Sequence, residues 1–74
     1  MTIEPRIIAV PGLMMGKPVI EGTRITVELI LTRLGEGQSV ADIVAEYPHL
    51  SREQVTAAIN YARAIAAKPA EAAE

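Results

Sequence analysis

The sequence predicts a mainly α fold: a three-helix, helix-turn-helix core of the homeodomain-like kind, with a short N-terminal β hairpin or ribbon in front. Three observations predict it. Thr26, Ser39 and Ser51 each stand as an N-cap residue before a run with helical hydrophobic spacing. Pro48-His49-Leu50 separates the second run from the third, which gives a short helix, a tight turn and a longer capped helix. Before Thr26 the apolar residues come in short runs punctuated by glycine and proline, as brief strands and turns do.

The first element is Ile7-Ile8-Ala9-Val10, an apolar run ended by Pro11-Gly12, which predicts a strand near 7–10 and a turn. Leu13-Met14-Met15-Gly16-Lys17 reads as a connecting loop. Its two methionines suit either a filler of core gaps or an interface between subunits. The next element spans about 18–25. Pro18 cannot donate to a ladder and marks a strand start or an edge. Val19-Ile20, Glu21-Gly22 and Thr23-Arg24-Ile25 then form a hairpin, with glycine where the turn needs positive φ. Strands this short leave open edges for a second copy of the chain, so Ile8, Val10 and Val19 join Met14 and Met15 as candidates for a dimer or partner interface.

The first helix is expected near 27–35, with Val27, Ile30, Leu31 and Leu34 facing inward, Thr26 as N-cap, and Gly35 or Gly37 as the stop. The second is expected near 40–47. Ser39 and Asp42 resemble a capping box, Val40, Ile43, Val44 and Tyr47 make the apolar stripe, and Pro48 ends it. Leu50 is placed to plug the angle between the second and third helices. The third helix is expected near 52–67, opened by the capping box Ser51-Arg52-Glu53-Gln54. Val55, Ala58, Ile59 and Ala62 form its buried face, with Ile65 and Ala66 as candidate extensions. Residues 1–67 thus make one domain, and 68–74, proline followed by alanines and glutamates, read as a flexible tail.

Composition bounds the function. A chain of 74 residues builds one small core, and without cysteine it has neither disulfides nor a thiolate metal site, which makes oligomerisation a ready source of extra burial. No window has the length and apolarity of a membrane span, and the start lacks the pattern of a secretory signal, so a cytoplasmic protein with no membrane role is expected. The net charge of −2 counts against strong nonspecific nucleic-acid binding but leaves room for a local basic patch.

Enzyme chemistry finds little support. The single histidine, His49, sits in a turn with no partner in the sequence, and the acids of the predicted fold are scattered, with only Asp42 and Glu46 at helical i, i+4 spacing. That pair reads as an exposed acidic face of the second helix. Gly12-Leu13-Met14-Met15-Gly16-Lys17-Pro18 is superficially a phosphate loop. It fails because Pro18 replaces the Ser or Thr and the glycines are one residue too close. No catalytic residue, metal or cofactor is expected.

Nucleic-acid binding has a more definite geometry. In a helix-turn-helix the third helix enters the major groove, which nominates Arg52, Thr56 and Asn60 for base edges and Arg63 for phosphate. Lys17 and Arg24 are placed to clamp backbone or groove from the ribbon. Ordinary solvation of a helix face accounts for the same residues, and Glu53 beside Arg52 repels phosphate.

Ile8, Pro11-Gly12, Gly16-Lys17-Pro18-Val19-Ile20 and Gly22-Thr23-Arg24-Ile25, followed by Val27, Gly37, Tyr47-Pro48, Leu50 and Ala62, resemble family 433 of the domains of unknown function. The resemblance runs from about Ile7 to Ala66. It implies a helix-turn-helix behind a β segment, and the antitoxin half of a toxin–antitoxin pair that blocks a PIN-like ribonuclease and represses its own operon. It carries over the Gly-Thr-Arg turn and the third-helix face as contact surfaces. Met14-Met15 departs from it in being less polar than that loop should be, and the Ala-rich tail lies outside it. The expectation is a homodimeric antitoxin that binds operator DNA. The alternatives are an interaction or homodimerisation module that never touches DNA, and a structural dimer with no specific partner.

Overall fold

A computed structural model describes residues 5–68. Positions 1–4 of the expected domain and 69–74 of the expected tail lie outside the described residues. The order is β1 (Ile7–Ile8), β2 (Val19–Ile20), α1 (Val27–Gly35), α2 (Val40–Glu46) and α3 (Arg52–Ala66). Three helices therefore carry the fold, and an antiparallel sheet of two strands, with Ile7 opposite Ile20 and Ile8 opposite Val19, stands before them.

The strands are much shorter than the apolar runs that predict them. Val10 is turned out of the ladder because its carbonyl accepts from Leu13 N–H at 2.9 Å, closing a turn around Pro11 and a left-handed Gly12. The expected hairpin arm at 23–25 is not a strand. Ile20 carbonyl accepts from Thr23 N–H at 3.0 Å across Glu21 and Gly22, as the sequence suggests. The Thr23 hydroxyl then donates to the same carbonyl at 2.8 Å and accepts from Ile25 N–H at 2.9 Å. A side chain has taken the place of a ladder. The chain returns to β2 at a single bridge between Val19 and Thr26, made by Ile20 N–H donating to the Ile25 carbonyl and Val27 N–H donating to the Pro18 carbonyl.

The helices follow their caps. Thr26 accepts from Leu29 N–H at 3.0 Å, and Ser39 with Asp42 and Ser51 with Gln54 form reciprocal capping boxes. Of the two candidate stops for α1, Gly37 is the left-handed one. Gly37 N–H reaches the Leu34 carbonyl and Gln38 N–H the Arg33 carbonyl, a Schellman closure. Asp42 and Glu46 are both exposed, as expected of the acidic face of α2; Asp42 also closes the cap, and Glu46 pairs with Arg33 at 3.5 Å.

The core joins Ile20, Val27, Ile30, Ile43, Leu50, Val55 and Ala58. Leu50, only 2 % exposed, plugs the angle between α2 and α3 as anticipated. Leu31 and Ile65, expected inside, are 41 % and 50 % exposed. Leu31 sits at the flank of the stripe that Val27, Ile30 and Leu34 define. Ile65 and Ala66 lie in the last turn of a helix of 15 residues whose partners have nine and seven, so that turn overhangs the core. Val19, nominated for an interface, is 0 % exposed and offers no side chain to a partner.

Arg33 joins the ends of α1 and α2. It pairs with Glu36 at 3.2 Å and with Glu46, while Tyr47 first, then these carboxylates, hold the guanidinium above its ordinary pKa. It stays charged at any physiological pH and links the C-terminal end of α1 to that of α2.

Candidate functional site

The run Gly16 to Ile25 is almost wholly consumed by the fold. Gly16 and Gly22 take positive φ, the Pro18 carbonyl accepts from Val27 N–H at 3.0 Å, and Val19 and Ile20 are buried. Lys17 Nζ lies 2.6 Å from a Glu28 carboxylate oxygen, and Arg6 pairs with Glu21 at 3.9 Å. Thr23 ties the turn to itself. Arg24 is the exception. It is exposed and makes no ion pair or side-chain hydrogen bond among the described residues. The fold holds it out on a rigid turn without using it.

Beside Arg24 runs an open groove of about 510 Å³ between the outer face of α1 and the loop before β2. Met14, Met15, Lys17, Arg24, Glu28 and Leu29 line it. The loop that sequence suggests is irregular is a left-handed turn: Met14 has φ 50°, Met15 φ 58° and ψ 31°, and Gly16 φ 78°. The left-handed region costs a residue with a Cβ about 1–2 kcal/mol. No burial offsets this at Met15, whose side chain is 87 % exposed. The methionines are therefore not core filler. They form an apolar wall held outward by strained backbone. Glu28, Leu29 and Thr32, which also face the groove, were not singled out by sequence. Glu28 and Thr32 share a face of α1 at i, i+4, but only the loop's position tells that face from any solvated one.

The second surface is α3. Arg52, Thr56, Asn60 and Arg63 are all exposed and recur at helical spacing along one face. Neither Arg52 nor Arg63 is ion-paired among the described residues. Arg52, Thr56 and Asn60 line a shallow groove of about 300 Å³ together with Glu53, Ala57 and Pro5, the residue that leads into β1. A carboxylate thus lies within the face proposed to read bases. The six nominated polar residues separate: Lys17 and Arg24 line the first groove, Arg52, Thr56 and Asn60 the second, with no lining residue shared, and Arg63 lies farther along α3 outside both. Of the apolar candidates, Val10, Met14 and Met15 are exposed and Ile8 is half-buried.

Among the described residues no three His, Cys, Asp or Glu side chains are grouped to hold a metal, and no helix is long and apolar enough to cross a membrane. No curated protein and no solved structure matches the chain significantly. A family model does match, over residues 7–62, which takes in both strands, the Gly-Thr-Arg turn, α1, α2 and most of α3. The chain belongs to that family, described as a protein of unknown function, DUF433.

Proposed function

We propose that the protein is the antitoxin half of a toxin–antitoxin pair, a cytoplasmic homodimer that binds and blocks a PIN-like ribonuclease. The resemblance set out above supplies the class of partner. The observation that carries a protein-binding role is the groove beside α1, where two exposed methionines in left-handed backbone flank a cation that the fold leaves unused. Methionine-rich surfaces adapt to protein partners because the side chain is flexible and polarisable. Strained backbone without burial in return is a mark of function. The test is co-expression with a PIN-like ribonuclease from the same genome. The two should co-purify, and RNA cleavage by the nuclease should fall to background. Separate elution with undiminished cleavage defeats the reading.

A second reading, operator binding for autoregulation, is favoured by the unpaired Arg52 and Arg63 on one exposed α3 face with Thr56 and Asn60. Two copies would present two such helices to two half-sites. A mobility shift of promoter DNA that weakens steeply with salt is the expected result. Absence of any shift at low salt leaves the interaction module alone.

A further inference from the structure

We propose that the groove beside α1 receives an apolar segment of a protein partner that carries one carboxylate, with Arg24 pairing the carboxylate and Met14, Met15 and Leu29 taking the apolar side chains. This rests on the antitoxin reading in so far as the occupant is a protein.

Charge selects the carboxylate. The groove holds Lys17, Arg24 and Glu28, and the 2.6 Å pair between Lys17 and Glu28 neutralises two of the three. One positive charge is left, on Arg24, whose planar fork matches a carboxylate in two parallel hydrogen bonds. The wall beside it selects an apolar chain over a nucleic-acid backbone. A phosphate backbone would leave Met14 and Met15 with nothing apolar to cover. The turn that carries Arg24 is fixed by the Thr23 hydrogen bonds and by Gly22, so the guanidinium's mount is ordered before the partner arrives.

The experiment uses the full chain with labelled methionine methyl groups, titrated with a capped peptide of leucines around a single glutamate. A second peptide has glutamine in place of glutamate. The Met14 and Met15 methyl resonances should move with the first peptide, and the second should bind about twofold to fivefold more weakly, the worth of one exposed ion pair. Arg24→Gln should erase that difference without changing the melting temperature. Equal binding of both peptides overturns the proposal. So do shifts confined to α3, and so do methyl shifts that follow protein concentration alone, which mark a second copy as the occupant. Copurification of the nuclease with an Arg24→Gln, Met15→Asn double variant at wild-type yield would also overturn it while leaving the antitoxin reading intact. Peptide binding by a chain that captures no nuclease supports the groove's chemistry and defeats only that reading.

Discussion

The two candidate surfaces are built in opposite ways. The α3 face is regular: a capping box starts the helix, the helical repeat spaces Arg52, Thr56, Asn60 and Arg63, and Leu50 sets its angle to α2. The groove beside α1 is irregular, made of turns, positive φ and one side-chain-bonded loop. A helix solvates its outer face with polar residues whether or not anything binds there. A left-handed Met15 that is 87 % exposed gains the fold no burial. The groove is therefore the stronger pointer to function, although α3 looks more like a known binding element.

The most severe way to break this contrast is to remove what both surfaces stand on. Ile20 belongs to β2 and Leu50 to the turn before α3, and both lie in one core. Ile20→Ala and Leu50→Ala should each destabilise by about 2–5 kcal/mol. Urea denaturation should show loss of the helical signal and of the Met15 methyl environment in one coincident transition. Survival of α3 in the Ile20 variant would make the two regions independent. Gly22→Ala comes next. At φ 85° an added Cβ is strained though nothing crowds it, and a loss of about 1–2 kcal/mol should appear as a fall in melting temperature.

Ser51→Ala should cost about 1 kcal/mol by opening the α3 cap, and should impair DNA binding, if present, more than peptide binding. Met15→Asn should move the other way. Asparagine tolerates left-handed backbone, so calorimetry should show stability unchanged or higher by up to about 1 kcal/mol, with weaker partner binding. A destabilised Met15→Asn would mean that the methionine contributes packing after all. The smallest effect on folding is expected at Arg24→Gln, within about 0.5 kcal/mol by chemical denaturation, since no described bond is lost.

What could be read in advance follows the range of the forces. Caps and helical stripes act over three or four residues, so Ser39 with Asp42, Ser51 with Gln54, and the fold class they imply were legible. The strands were legible as apolar runs but not in length, because the Thr23 hydroxyl displaced the ladder that the alternating residues suggested. Val19 looked like an edge residue and is buried, in a ribbon whose two strands pack against α3. The left-handed turn at Met14 and Met15 was out of reach, because methionine has no preference for that backbone. Arg33 was missed for another reason: Glu46 becomes its partner only when α1 and α2 pack together. The candidate polar residues were legible one by one, but the separation of Lys17 and Arg24 from the α3 face was not.

The overhang of α3 gives the molecule two timescales. Val55 and Ala58 are buried in the core, so their amides should exchange with solvent slowly, at rates that report global stability. Residues beyond Arg63 are exposed in the last turn of α3, and their amides should exchange faster, by fraying. One helix therefore carries its own internal reference. A partner that covers Ile65 would slow the second set and leave the first unchanged, whereas one that stabilises the fold from the α1 groove would slow the first.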